Sequence, residues 1–257
     1  MSERAPTPAE IMTALARRVV GQPLALQEMA VALAKKLAGI AAGNILLIGA
    51  SGSGKTTLMR AVEDYLATDP EAGMGSTVIR IHANVLAEEA QRGRAGSAVL
   101  DRLLWRVRQR RGPEVSSDEV LTDLGRGIVF VDEVDKIRSR VGTQPNIAGI
   151  RAQEALLTLI ENEAVPYELP PALGGGTVNI DSRDLLFVCA GAFEGLYDSV
   201  YDRVTVGEDR GALKTVTHFE EGGVYRNVVR PPPQRKTGND QRFKPNRLYG
   251  SCSIALS

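Results

Sequence analysis

Apolar runs of strand length alternate with stretches of helical period over most of the chain. The runs at residues 45–48, 77–81, 128–131 and 185–190 are predicted to be β-strands. Strands that are buried on both faces carry continuous apolar residues, and parallel strands need helical connections between them. The pattern therefore predicts an α/β fold, with a central, mostly parallel sheet flanked by helices.

Start signals and apolar stripes predict the helices. Thr7, Pro8 and Glu10 combine an N-cap, a first-turn proline and an acid three residues after the cap, which predicts a helix to about residue 18. Pro23 opens a second helix. Further helices are predicted at 97–111, 114–124, 152–160 and 192–204, and one that ends near residue 67. Residues 83–96 are predicted to be a loop or short helix, and 138–150 and 166–176 to be loops.

The first predicted strand runs directly into a glycine-rich loop with the P-loop, or Walker A, spacing. The loop comprises Gly49, Ala50, Ser51, Gly52, Ser53, Gly54, Lys55, Thr56 and Thr57. Its glycines let backbone N–H groups turn towards phosphate oxygens, and the following helix adds its positive dipole end. Lys55 is expected to contact the β- and γ-phosphates of ATP, and the Thr56 hydroxyl to hold Mg²⁺. An ordinary glycine-rich turn is the alternative. It is disfavoured because the strand before the loop and the helix after it are both predicted, as the P-loop motif requires.

An acidic pair follows the third predicted strand. Asp132 and Glu133 come directly after the apolar run 128–131, at the strand end where open α/β sheets bind ligands. Asp132 is predicted to support the Mg²⁺ ion, and Glu133 to orient and deprotonate the attacking water. An acidic cap on an ordinary strand is the alternative, and the P-loop argues against it.

Composition limits the classes of function. The formal net charge is +0 over 257 residues, so the whole chain is not built to bind nucleic acid or an acidic membrane. No signal peptide or membrane-length apolar run is visible, which predicts a cytoplasmic protein without a membrane partner. Two cysteines are too few for a zinc cluster or a disulfide framework, and Cys189 is predicted to lie in the core.

The pattern decays near residue 218, which divides the chain into two parts. Residues 1–218 are predicted to form the ATP-binding domain, with N-terminal helices at 8–38 and the P-loop core at 44–204. Residues 219–257 are predicted to be a divergent basic tail with little order. A nucleic-acid-binding tail is the alternative, and 224–229 remains a candidate short strand.

Several segments resemble one family. The segments 19–22, 44–56, 127–137, 155–161 and 186–196 are similar to the ATPase module of the AAA+ unfoldases ClpX and HslU. This resemblance implies that Val20 and Gly21 line the adenine pocket and that ATP and Mg²⁺ are used. It also implies a homo-oligomer, a hexameric ring that pulls protein chains through a central pore.

The chain also departs from this family. The family's Gly-Tyr-Val-Gly pore loop corresponds to residues 90–93, where Gln91 and Arg92 replace the aromatic and apolar side chains. The zinc-binding N-terminal domain and the Ile-Gly-Phe tripeptide are not found, so docking on a Clp-type protease is doubtful. No arginine finger, second sensor arginine or small helical domain is found after residue 204. Without the strand that follows the finger segment, residues 45–48 would form an exposed apolar edge.

These observations favour an ATP-binding and ATP-hydrolysing AAA+ protein that remodels a protein substrate or partner. A nucleotide-dependent scaffold subunit with little turnover is the rival interpretation. A small-molecule kinase is a third, which the acidic pair makes less suitable because that pair fits water activation. The chain is alternatively a fragment of a longer ClpX-like protein, or one whose carboxyl end has lost its usual sequence.

Overall fold

The computed structural model describes residues 5–68, 77–112, 116–161, 164–193 and 252–255. The helices are α1 (Pro8–Leu15), α2 (Pro23–Leu37), α3 (Lys55–Thr68), α4 (Ala83–Gln91), α5 (Ala95–Arg111), α6 (Ser117–Gly125) and α7 (Ile147–Glu161). The strands are β1 (Ile45–Ile48), β2 (Val78–His82), β3 (Ile128–Asp132), β4 (Arg140–Val141), β5 (Gln144–Pro145), β6 (Ala164–Glu168), β7 (Thr177–Asp181), β8 (Leu186–Gly191) and β9 (Cys252–Ala255). Among the described helices, none has the length and apolar content needed to cross a membrane.

The central sheet is parallel and has the strand order β2-β3-β8-β1-β9. In its register Ile45 lies opposite Val188, and Val129 lies opposite Phe187. The order brings the carboxyl ends of β1, β3 and β8 to one edge, although β3 and β1 are far apart in sequence. The predicted α/β fold with a parallel sheet and flanking helices is confirmed.

Two apolar layers cover the faces of the sheet, because successive side chains along a strand point to opposite faces. Val129, Val131 and Phe187 belong to a core shared with α4, α5, α6 and α7. Phe130 and Val188 belong to the opposite core, which also contains buried residues of α1, α2 and α3. The strands are thus buried on both sides, as their continuous apolar sequences require.

Two helix starts carry complete capping boxes. The Thr7 hydroxyl accepts from the Glu10 amide, and the Glu10 carboxylate accepts from the Thr7 amide at 2.7 Å. Ser116 and Glu119 make the same reciprocal pair at the start of α6. The start predicted at Thr7 is confirmed, and α1 ends at Leu15, with a turn over the next three residues.

The structure corrects two loop predictions. The segment 166–176 is not all loop, because β6 contains Pro166 and pairs antiparallel with β7. A proline is tolerated there because the sheet has only two strands, so an unpaired edge is available. Residues 140–145 form the β4–β5 hairpin, and α7 begins at Ile147, five residues before the predicted start. The prediction of a loop or short helix at 83–96 is confirmed, because a short helix runs from Ala83 to Gln91.

Strand β9 pairs in parallel with β1, with Cys252 opposite Ile45. The edge of β1 that was expected to be exposed is therefore covered in this structure. Of the tail predicted at 219–257, only β9 lies within the described residues. The candidate strand at 224–229 and all but the first two residues of the predicted helix 192–204 lie outside them.

Candidate functional site

The glycine-rich loop leaves the carboxyl end of β1 and enters α3 at Lys55. The Gly49 amide donates to the Gly191 carbonyl at 3.3 Å, which fixes the loop start to the end of β8. Gly52 and Gly54 have φ angles of 84° and 96°, a conformation that side-chain-bearing residues avoid. The local sequence thus forms the wide turn that a P-loop needs.

Lys55 is 9% exposed, and its ammonium group is held inside the loop. Its Nζ donates to the carbonyl oxygens of Gly49 at 2.6 Å and Ala50 at 2.8 Å. Burial lowers the pKa of Lys55, and the negative charges of Asp132 and Asp135 oppose this change. The side chain therefore lies at the centre of the loop, close to two carboxylates.

The Thr56 hydroxyl donates to Asp132 Oδ2 at 3.0 Å, a contact between residues 76 positions apart in sequence. Asp132 is 5% exposed, and its Oδ1 accepts from the Glu133 amide at 3.0 Å. Glu133 is exposed and has a left-handed backbone, with φ 58° and ψ 40°. The strand therefore ends at Asp132, and Glu133 begins the turn that follows. The structure thus brings a hydroxyl and a carboxylate oxygen together beside the buried lysine.

Asp135 was not singled out from the sequence, although it belongs to the acidic run after β3. It lies in a short 3₁₀ turn over Val134–Lys136, and its Oδ1 accepts from the Ala192 amide at 3.1 Å. This bond joins the turn after β3 to the end of β8. No local sequence pattern could have found it, because the two residues are 57 positions apart.

A cleft of about 270 Å³ opens beside the glycine-rich loop. Its lining includes Val20 and Gln22 from the segment before α2, together with Gly52, Gly54 and Thr57 of the loop. The lining is completed by Arg18, Val19 and Ser53. Val20 is 88% exposed, so it offers an apolar surface at the cleft.

Gly21 and Gln22 differ in their relation to this cleft. Gly21 has φ 80° and is not among the residues that line the cleft. Gln22 was missed by sequence reasoning, and its Nε2 donates to the Ser53 carbonyl at 3.3 Å. The segment 19–22 and the glycine-rich loop are thus adjacent and linked by a hydrogen bond.

Residues 90–93 form the end of α4 and the turn into α5. Gln91 and Arg92 are exposed, and Arg92 pairs with Glu89 at 2.7 Å. Arg94 pairs with Asp101 at 2.9 Å, and Asp101 also accepts from the Tyr167 hydroxyl at 2.8 Å. The basic side chains of this turn therefore have acidic partners within the same chain.

The parallel sheet, the glycine-rich loop at its carboxyl edge and the neighbouring acidic strand end define a P-loop NTPase domain. The family model described as AAA domain (Cdc48 subfamily) matches residues 41–221. The chain belongs to this family, and it is a ClpX-like AAA+ module.

Several curated proteins similar to this chain are called ATP-dependent Clp protease ATP-binding subunit ClpX. The Porphyromonas gingivalis protein is 32% identical over 259 residues, which cover 92% of this chain and 57% of that protein. The Bacteroides fragilis protein is 32% identical over 77% of this chain and 48% of its own length. The Borrelia duttonii protein is 30% identical over 77% of this chain and 46% of its own length. The chain thus spans about half the length of the relatives it matches.

Proposed function

We propose that this chain binds ATP with Mg²⁺ at the carboxyl edge of the sheet and hydrolyses the γ-phosphate bond. The observation that carries the proposal is the contact between the Thr56 hydroxyl and Asp132 Oδ2 beside Lys55. A lysine, a hydroxyl and a carboxylate converge where a glycine-rich loop opens. That combination suits phosphoryl transfer, which depends on positioning and on stabilising charge.

The glycine-rich loop would bind the phosphates. Backbone N–H groups between Gly49 and Thr57 would donate to phosphate oxygens, and the N-terminus of α3 would favour the negative charge. The Lys55 ammonium would exchange the Gly49 and Ala50 carbonyls for β- and γ-phosphate oxygens. Val20 and Gly21 would contact the adenine, with Val20 supplying the apolar surface. Burial of Lys55 supports this assignment. Burying its ammonium group costs free energy of desolvation, and a negatively charged phosphate would offset that cost.

The residues present fit a magnesium ion. Mg²⁺ prefers oxygen ligands and binds proteins through one or two carboxylates and substrate phosphates. The Thr56 hydroxyl and the Asp132 carboxylate supply oxygen ligands 3.0 Å apart, and these two residues would hold the ion. When bound, the ion would neutralise charge on the phosphate oxygens.

Glu133 would act on the attacking water. It follows Asp132 directly, it is exposed, and its backbone is left-handed. A backbone in this region costs about 1–3 kcal/mol for a residue other than glycine and tends to occur at functional sites. The carboxylate would accept the water proton as the water attacks the γ-phosphorus in line with the leaving oxygen.

We further propose that the chain assembles as a homo-oligomer, a hexameric ring by its family resemblance, and remodels a protein partner. Gln91 offers little apolar area for gripping a chain, and ion pairs with Glu89 and Asp101 offset the charges of Arg92 and Arg94. A pore lined by these residues would hold polar segments weakly. The proposed activity is therefore remodelling or holding of a specific partner, without processive unfolding of stable proteins.

The proposal is tested by measuring ATP turnover and particle mass on the same sample, with and without nucleotide. Turnover that accompanies a nucleotide-dependent increase in mass is the expected result. Assembly on ATP binding without turnover would instead favour the scaffold interpretation.

A further inference from the structure

The end of β8 is attached on both sides to the proposed ATP site. On one side, the Gly191 carbonyl accepts from the Gly49 amide at 3.3 Å, at the first residue of the glycine-rich loop. On the other side, the Ala192 amide donates to Asp135 Oδ1 at 3.1 Å. Gly191, the last residue of β8, and Ala192, the next residue, therefore connect the loop that would hold phosphate to the turn that carries Glu133.

The packing leaves little freedom at this junction. A Cβ atom added at Gly191 would lie 2.7 Å from Asp135 Oδ1 and 2.6 Å from the Phe193 ring, both closer than real contacts allow. Asp135 is only 12% exposed, whereas Lys136 beside it is 43% exposed. A hydrogen bond in such a tightly packed site fixes a distance more firmly than a surface contact does.

We propose that Asp135 is a positioning residue for ATP hydrolysis, holding the Glu133 turn at a fixed distance from the glycine-rich loop through its bond to the Ala192 amide. The proposal rests on the proposed ATPase function. Asp135 and Glu133 belong to one turn, in which the Lys136 amide donates to the Glu133 carbonyl at 2.9 Å. A turn fixed at Asp135 is thus fixed at Glu133 as well. Attack by water depends on the position of the Glu133 carboxylate. Binding of ATP to the glycine-rich loop depends on that position far less.

Asp135 also carries a charge, which gives a competing explanation for any effect of its removal. The negative charge of Asp135 raises the pKa of Lys55, but the charge of Asp132 raises it more. A residue acting through charge would alter ATP affinity, because Lys55 would contact the phosphates. A residue acting through the Ala192 bond would alter turnover. In that case a side chain without charge that still accepts this hydrogen bond would preserve turnover.

Asp135→Asn and Asp135→Ala separate these explanations. Asparagine keeps an oxygen that accepts from the Ala192 amide and loses the charge, whereas alanine loses both. We expect Asp135→Asn to keep kcat near the wild-type value, and Asp135→Ala to lower kcat roughly 10–100-fold with the ATP Kd unchanged. Lys136→Ala is the matched control, because it removes only a 3.8 Å ion pair on the other oxygen. It should leave kcat and Kd unchanged.

Amide hydrogen exchange at Ala192 provides a readout that does not depend on turnover. The amide should exchange slowly in the wild type and in Asp135→Asn, and faster in Asp135→Ala. A chain without ATPase activity would contradict the proposed function, while the exchange rates would still test the bond. Equal loss of kcat in both variants, or an Asp135→Ala variant with wild-type kcat, would overturn the positioning role. Exchange at Ala192 that is equally slow in all variants would overturn it as well.

Discussion

The hydroxyl of Thr56 and the carboxylate of Asp132 lie 3.0 Å apart, although one residue begins α3 and the other ends β3. The sheet order creates this contact, since β8 is the single strand between β1 and β3. Two oxygen donors from distant segments thus meet beside the P-loop lysine.

Removal of the Lys55 ammonium is expected to abolish ATP binding. Lys55→Ala removes the only charge that the glycine-rich loop itself supplies to the phosphates. Calorimetric titration with ATP should show a heat of binding for the wild type and none for the variant. Lys35→Ala is the control, because Lys35 is an exposed lysine on α2. Unchanged affinity in Lys55→Ala would contradict the P-loop assignment.

Lys36 is expected to make stability depend on pH at the opposite end of the sheet. It lines a cavity of about 290 Å³ with Arg126 and Asp184, and burial is the main cause that lowers its pKa to about 8. Between pH 8 and 10.5 the unfolded chain keeps the Lys36 proton while the folded chain loses it. The free energy of unfolding contributed by this group therefore rises with pH across that window and stays constant below it.

The comparison with Lys36→Met isolates this contribution from other groups that titrate at high pH. From pH 8 to 10.5 the free energy of unfolding of the wild type should rise, relative to the variant, by roughly 1–3 kcal/mol. Denaturant unfolding at a series of pH values measures it. Lys35→Met should show no such difference from the wild type. Parallel pH profiles for the wild type and Lys36→Met would contradict the prediction.

The turn after α4 is expected to limit unfolding activity. Gln91→Tyr adds an aromatic ring at the position that the family resemblance assigns to the pore. The assay follows loss of fluorescence from a tightly folded fluorescent protein that carries an unstructured tail, in the presence of ATP. We expect no loss with the wild type and a measurable loss with Gln91→Tyr.

Gln109→Tyr serves as the control for this assay, since Gln109 is an exposed glutamine on α5 away from the turn. Fluorescence loss with the wild type, at a rate that follows ATP turnover, would contradict the claim that stable proteins are not unfolded. No gain with Gln91→Tyr would remove the support for Gln91 as a pore residue.

The sequence was sufficient to predict the four strands β1, β2, β3 and β8, because their apolar runs are continuous and the helices between them have clear start signals. The β6–β7 hairpin was missed because Pro166 and the glycines at 174–176 are typical of loops. In this case pairing of the two strands outweighs those local preferences, because the hairpin buries Val165, Tyr167 and Ile180.

The candidate site likewise contains residues that the sequence predicts and residues that only the structure reveals. Lys55, Thr56 and Asp132 could be proposed from motif spacing, because a P-loop and a strand-end acid have recognisable local patterns. Asp135 and Gln22 could not, since their hydrogen bonds are to Ala192 and Ser53, which are adjacent only in the folded chain. The roles of the motif residues stay predictions until nucleotide binding and turnover are measured.

We propose that the acidic end of β3 performs the chemistry at a nucleotide site built by the glycine-rich loop. Glu133→Gln tests it most directly, because it keeps the shape of the side chain and removes the base. Glu154→Gln, an exposed position on α7, is the control. ATP binding and steady-state ATP turnover are measured for the wild type and both variants.

We expect Glu133→Gln to bind ATP as tightly as the wild type and to turn it over roughly 10²–10⁴ times more slowly, the usual contribution of a general base. Glu154→Gln should match the wild type in both measurements. Wild-type turnover in Glu133→Gln would contradict the assignment of the base. A wild type that binds ATP without hydrolysing it would contradict the ATPase claim itself.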